Sequence, residues 1–477
     1  MAIVLTFILN AGLNFALGLV VAYGLGPEDF GRYALGAAVA VALNALLFDW
    51  LRLAATRFYS AKTRADEPAL RATLELGYAG FSLLLAAVVV GAVWLDLDLG
   101  LPALMLAAAA ATGICMGLFD YQVALARALF QERSYALLVA VKNLAAFALM
   151  VVGACLLKDP TLTLLGSGLS AAAALLIARK ALAEPNLRLD AARLNTAAAF
   201  ARYALPLVVA NVAYQCLPLL NRGALAATDG FGAAGRFALA ADIGARLFMT
   251  LGSALDIALF QLAVRADERE GRAAAEARVA TNAALIAALL LPLAAGYALI
   301  LPVVEALAVP AEFRGAFASH SLVLIPAFLA FSLILYALNP VFQLRKETGP
   351  LAGAALVAVA VNALLLVVLP AHLGPVGVSA AQLGGLSAAL AVVLAAALAR
   401  GFRAPWAAFG KAALATMVMA LAVAPLREAG PPVAALAAMT GTGLLVYAAC
   451  AAALDVAGLR SVALRWWRTR NEVPAEA

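Results

Sequence analysis

Apolar residues run in blocks of roughly twenty from one end of this chain to the other, each block closed by a short cluster of glycine, proline or charge. Blocks of that length suit a helix crossing a hydrocarbon core ~30 Å thick. Only an element that satisfies its own backbone can do so, and a helix does. The pattern predicts about fourteen spans. They lie at Ala2 to Tyr23, Ala34 to Thr56, Thr73 to Leu95, Ala103 to Ala126, Tyr135 to Leu157, Leu162 to Ala181, Tyr203 to Ala227, Phe237 to Val264, Val279 to Leu301, Ser319 to Leu344, Leu351 to His372, Gly377 to Ala399, Lys411 to Leu426 and Pro432 to Leu454. The fold class that follows is an all-α polytopic membrane protein.

The first six spans are echoed by the next six. Gly31-Arg32-Tyr33-Ala34-Leu35 returns as Gly235-Arg236-Phe237-Ala238-Leu239, Arg64-Ala65-Asp66-Glu67 as Arg265-Ala266-Asp267-Glu268, and Gly168-Leu169-Ser170-Ala171-Ala172 as Gly385-Leu386-Ser387-Ala388-Ala389. A duplicated membrane unit explains the shared order. It predicts one six-helix lobe over residues 1–182 and a second over 203–400, related by pseudo-two-fold symmetry. A cytoplasmic linker over 183–202 joins them, and two additional helices with a cytoplasmic tail occupy 401–477. In transporters built this way the substrate site falls between the repeats, near the bilayer midplane.

Composition narrows the class further: 66% hydrophobic and only 13% charged residues exclude a water-soluble domain of this length. The net charge of +6 is unevenly placed. Loops after even-numbered spans hold most of the basic residues, including Arg57, Lys62, Arg64, Arg71, Arg179, Lys180, Arg265, Arg269, Arg400 and Arg403. The opposite loops hold little beyond Arg32, Lys158, Arg236, Arg314 and Arg427, so the positive-inside rule puts both termini in the cytoplasm. The basic balance therefore reports orientation and contact with anionic headgroups, and no soluble basic face exists for nucleic acid. Cys115, Cys155, Cys216 and Cys450 lie inside apolar spans with neither zinc nor disulfide spacing. The first span is too long for a signal-peptide core and is expected to stay in the mature protein.

Enzymatic motifs are scarce. His320 and His372 have no carboxylate or cysteine at ligand spacing, Glu305 and Glu312 read as a solvated loop, and no loop is long enough for a catalytic domain. The chain reads as a non-enzyme. Ionisable residues inside spans say more, because a charge at membrane depth is costly unless it faces a polar cavity or a partner. Asp242, Arg246, Ser253 and Asp256 share one face of the eighth span, and Asn211, Gln215, Pro218 and Arg222 one face of the seventh. The first span carries Asn10 and Asn14 one turn apart, and the second carries Asp49, Arg52 and Thr56. Asp242 with Arg246, and Asp49 with Arg52, also fit intrahelical ion pairs. Lys142, Arg52 and Arg222 are placed to snorkel. Concentration of these groups on the first two spans of each lobe favours a cationic, amide-lined cavity for an anionic, hydroxyl-rich ligand. The substrate-binding candidates are Asn10, Asn14, Arg52, Asn211, Gln215, Arg222, Asp242 and Arg246.

The stretch Gly26-Pro27-Glu28-Asp29-Phe30-Gly31-Arg32-Tyr33-Ala34-Leu35, with Leu47-Phe48-Asp49-Trp50-Leu51-Arg52-Leu53 and Arg57-Phe58-Tyr59, resembles the bacterial polysaccharide-transporter family. These are the O-antigen and exopolysaccharide flippases of the multidrug/oligosaccharidyl-lipid/polysaccharide exporter superfamily. The resemblance is sharpest over the first sixty residues. Its glycine-proline turn is shared widely in the superfamily but less often by the drug exporters. It implies two six-helix lobes plus two helices, and movement of an undecaprenyl-diphosphate-linked oligosaccharide across the bacterial inner membrane by alternating access. The glycan and diphosphate would cross the cavity while the isoprenoid tail stays in lipid. Implied partners are that substrate, membrane lipids and polysaccharide polymerase or export proteins; no cofactor is implied, and H+ or Na+ coupling is left open. One departure is that members usually carry a short basic segment before the first span, which here starts almost at Met1. Two rivals remain: a cation-coupled multidrug or metabolite exporter, which would need a cavity carboxylate, and a lipid-linked-sugar polymerase or ligase, which would need a large outer loop.

Overall fold

The computed structural model describes residues 2–60, 67–97, 100–183, 187–345, 347–428, 430–458 and 460. Among them there is no strand. The helices are α1 (Ala2–Leu47), α2 (Asp49–Phe58), α3 (Pro68–Trp94), α4 (Ala103–Ala128), α5 (Glu132–Val151), α6 (Pro160–Leu182), α7 (Leu194–Thr228), α8 (Gly230–Glu270), α9 (Arg272–Ala308), α10 (Ala316–Ser332), α11 (Asn339–Arg345), α12 (Gly349–Leu373), α13 (Val376–Ala399), α14 (Trp406–Val423) and α15 (Pro432–Ala453). Twelve helices among the described residues are long and apolar enough to span a membrane, and the bent pair Leu194–Leu205 and Leu207–Thr228 raises this to thirteen. The protein is a multi-pass membrane protein.

α1 exceeds a single crossing and is broken within its length. Its 46 residues would reach about 69 Å if straight, twice what one crossing needs. Gly26 interrupts them with φ 71° and ψ 174°, a conformation a side chain strongly disfavours, and Pro27 restarts the helix. The second repeat uses the same device, since Gly230 at φ 83° separates α7 from α8. α7 begins nine residues before the sequence-predicted Tyr203, because polar Asn195 and Arg202 are helical although they are not apolar. Within the linker, Leu189–Ala191 forms a short 3₁₀ turn, and the Arg193 amide donates to Thr73 Oγ1 of α3 at 3.1 Å. The Arg64-Ala65-Asp66 part of the second echo and Glu184-Pro185-Asn186 of the linker lie outside the described residues.

The chain forms two compact units. One comprises Gly12–Leu239 with Leu366–Val378. One buried cluster in it is aromatic: Phe48 stacks on Tyr78 at 5.4 Å, Tyr78 on Tyr121 at 4.4 Å, and Leu51, Leu74 and Phe200 close around them. Buried Arg71 pairs with Glu75 at 2.6 Å beside the Tyr121 ring, so its charge is neutralised within the cluster.

The other unit comprises Met1–Ala11, Ala240–Leu365 and Ser379–Ala477. Here α14 and α15 pack on α9 through small residues, Ala288 against Ala412, Ala415 and Ala451, which lets backbones approach closely where lipid offers no hydrophobic drive. Pro292 of α9 has no N–H, so the Ala288 carbonyl loses its helical i+4 donor. The Tyr447 hydroxyl of α15 donates to that carbonyl instead. At the basic end of this unit, Arg345 donates to Glu276 at 2.6 Å and to the Arg400 carbonyl at 2.7 Å, while Arg400 pairs with Glu347 at 2.7 Å. Glu305 is a helix cap, as Oε1 accepts from the Gly315 and Ala318 amides at 2.8 and 3.0 Å. His320, buried and bonded through Nδ1 to Ser379 Oγ at 2.8 Å, is a satisfied core histidine.

Candidate functional site

α1 ends at Leu47, Phe48 caps the next helix and Asp49 opens α2, so Asp49 and Arg52 fall one turn apart on one face. Arg52 Nε donates to Asp49 Oδ1 at 2.9 Å. The second carboxylate oxygen, Oδ2, accepts from Asn211 Nδ2 of α7. Each oxygen of a buried carboxylate is thus taken by a different helix. The Arg52 side chain is 38% exposed against 8% for Asp49, and among the described residues its two Nη atoms carry no hydrogen bond. The guanidinium is therefore anchored at Nε and presents a two-pronged donor outward.

Next to this pair, Asn44 Nδ2 of α1 donates to Asp120 Oδ2 of α4 at 3.1 Å. Asp120 also feels Arg52, Asp49 and Lys142 electrostatically. Lys142 of α5 is half-buried, with its Nζ 6.0 Å from the Phe119 ring centre and its charge felt by Asp120.

A second feature joins the echoed segments. A methyl group on Gly31 would stand 2.8 Å from the Phe231 carbonyl carbon, nearer still to its oxygen, and 3.0 Å from the Gly235 nitrogen. A methyl group on Gly235 would stand 3.0 Å from the Pro27 carbonyl carbon, nearer still to its oxygen, and 2.9 Å from the Gly31 nitrogen. Pro27 and Phe231 occupy equivalent places in the two repeats, so the contact is reciprocal about a local two-fold axis. Only residues without a Cβ permit it. Arg222, 5% exposed, donates from Nη1 to the Ala34 carbonyl at 2.8 Å one turn further on. Arg32 pairs with Glu28 and Asp29 at 2.6 and 2.7 Å and lies 5.3 Å from the Phe231 ring centre.

No protein-family model matches the sequence, and neither does any curated protein. Solved structures do match in fold. The lipid II flippase MurJ in an inward closed conformation superposes with a TM-score of 0.73 at 11% identity, over 93% of this chain and 96% of that one. An inward-facing multidrug resistance MATE family transporter of the MOP superfamily superposes with a TM-score of 0.55 at 14% identity, over 82% of this chain and 94% of that one. The chain shares the fold of these two proteins.

In this fold the sequence-predicted residues divide between the units. Arg52, Asn211, Gln215 and Arg222 lie in the first-described unit; Asp49 bonds both Arg52 and Asn211, Gln215 sits half-buried one turn from Asn211, and Arg222 reaches Ala34. Asp242 and Arg246 lie in the other unit on α8, the first half-buried and the second exposed. Asn10 and Asn14 are helical, but their side chains lie outside the described residues. Asn44 and Asp120 escaped the sequence reading. Asp120 was detectable as an isolated acidic residue within an apolar span. Among the described residues no group of three or more His, Cys, Asp or Glu could hold a metal ion.

Proposed function

We propose that this protein is a flippase that moves an undecaprenyl-diphosphate-linked oligosaccharide, a polysaccharide or O-antigen repeat unit, between leaflets of the bacterial inner membrane by alternating access. The observation that carries the reading is the Arg52 fork, tied at Nε and open at both Nη atoms. A planar fork suits two phosphate oxygens. Arg246 and Arg222 supply further positive charge for the diphosphate or acidic sugars, Arg222 only when its bond to Ala34 parts. The Asn10, Asn14 and Gln215 amides match sugar hydroxyls, and Asp242 orients Arg246. Both termini face the cytoplasm, given where the Lys and Arg residues cluster. That places the Gly26 and Gly230 turns on the outer side, where the Gly31–Gly235 contact closes the exit. A polymerase or export protein collects the product.

The test is flipping of a fluorescent undecaprenyl-diphosphate-linked oligosaccharide in proteoliposomes. Wild-type protein accelerates it, Arg52→Ala reduces it at least about tenfold, and Arg52→Lys recovers part of the loss, since a point charge lacks the fork. Full activity of Arg52→Ala would sink the reading. A cation-coupled exporter is the second reading, and the Asp120–Asn44 pair favours it. Accumulation of a cationic dye that depends on Asp120, with no flipping of the lipid-linked sugar, would select it.

A further inference from the structure

Asp49 and Arg52 form a pair of unusual economy: one oxygen and one nitrogen meet, and the rest of both groups is held apart. Carboxylate and guanidinium ordinarily prefer two parallel hydrogen bonds. Side-on pairing here would engage Arg52 Nε and one Nη with the two oxygens of Asp49. Asn211 opposes it, because its Nδ2 already donates to Oδ2 while Oδ1 receives Nε, so side-on closure would make Oδ2 share its lone pairs between two donors. Asp49 is buried and could not leave an oxygen without a donor cheaply, so the Asn211 bond is strongly held.

We infer that Asn211 is a positioning residue which keeps the Asp49–Arg52 pair single-bonded and thereby leaves both Nη atoms of Arg52 available to a diphosphate; the inference rests on the flippase reading above. It carries a mechanical consequence. Asn211 belongs to α7, the first helix of the second repeat, whereas Asp49 and Arg52 belong to α2 of the first. While α7 stays against α2, the fork is open and the anion is held. When α7 withdraws, Oδ2 loses its donor and turns to the Arg52 Nη, the pair closes side-on, and the diphosphate loses one of its two donors. Release of the anion is then tied to the movement of the helices, with no group changing its protonation and no bond broken other than hydrogen bonds.

The test is binding of inorganic pyrophosphate to the full-length protein in detergent, followed by calorimetry. Wild type should bind and Arg52→Ala should not. Asn211→Ala should weaken binding about tenfold, the scale of one hydrogen bond to a charged group. Asn211→Ser, which keeps a donor and guards against misfolding of the alanine variant, should restore most of it. In an Asp49→Asn background, where no carboxylate can close on Arg52, Asn211→Ala should change pyrophosphate affinity less than twofold. If Asn211→Ala and Asn211→Ser both bind as wild type does, Asn211 does not position the fork and this inference fails while the flippase reading stands. A tenfold loss that persists in the Asp49→Asn background overturns it too, because Asn211 would then touch the anion directly. Absence of pyrophosphate binding by wild type, with Arg52→Ala indistinguishable from it, overturns both.

Discussion

Replacing Gly31 with alanine addresses the contact between the repeats directly. The added methyl would lie 2.8 Å from the Phe231 carbonyl carbon and nearer still to its oxygen, where ordinary contact begins near 3.4 Å, so the oxygen sets the limit and the two backbones must part by more than about 0.6 Å. Neither side can yield by changing rotamer, because the opposing atoms are backbone. Overpacking of this kind costs about 1–3 kcal/mol. That cost falls on the closed arrangement alone, which shifts the balance between closed and open about 5–150-fold toward open. A cysteine at Ala34, 1% exposed beneath the contact, reads the shift in a background lacking Cys115, Cys155, Cys216 and Cys450. In spheroplasts, an impermeant maleimide should label Ala34→Cys at least about five times faster when Gly31→Ala is present. Gly235→Ala should have the same effect, since the geometry is reciprocal, and lipid-linked oligosaccharide flipping should fall in both. Unchanged labelling in both variants, with normal insertion, would refute the reasoning. An effect in one and none in the other would refute the two-fold relation.

Three further outcomes follow from the structure and the charge pattern. Arg246→Ala should reduce flipping strongly in a folded, inserted protein and Arg246→Lys should recover part of it; full transport by the Asp242→Ala/Arg246→Ala double variant would make the pair structural only. External thiol labelling should reach a cysteine at Leu101 and miss one at Ala69, and the reverse would invert the proposed orientation. Tyr447→Phe should destabilise the protein by about 1 kcal/mol, read as a lower midpoint in detergent unfolding, because the carbonyl freed by Pro292 loses its donor; an unchanged midpoint would show that the hydroxyl is dispensable.

The spans were legible because each is a long apolar run, and the Gly26 turn because glycine followed by proline marks a break. The break at Phe48 was not, since Leu47-Phe48-Asp49 contains neither residue. The Asp49–Arg52 pair could be read from one turn of helix. Asn44 and Asp120 could not be paired in that way, being 76 positions apart on different helices. Asn211 was singled out as a polar residue on a stripe, but its partner is 162 positions away and only the fold supplies it. The glycine contact shows the converse case: Gly31 and Gly235 were noticed as a repeat echo, and the reason for the echo is that the two copies touch.

The proline in α9 also has a consequence in time. Ribosomes add about 5–20 residues per second, and Tyr447 follows Ala288 by 159 positions. For about ten to thirty seconds, then, a newly inserted α9 carries a carbonyl whose helical donor was given up to Pro292 and whose replacement has not been made. Lipid offers nothing to it. α15, made long after α9, is therefore also the helix that completes it, and a ribosome that stalls between them leaves the Ala288 carbonyl without its bond.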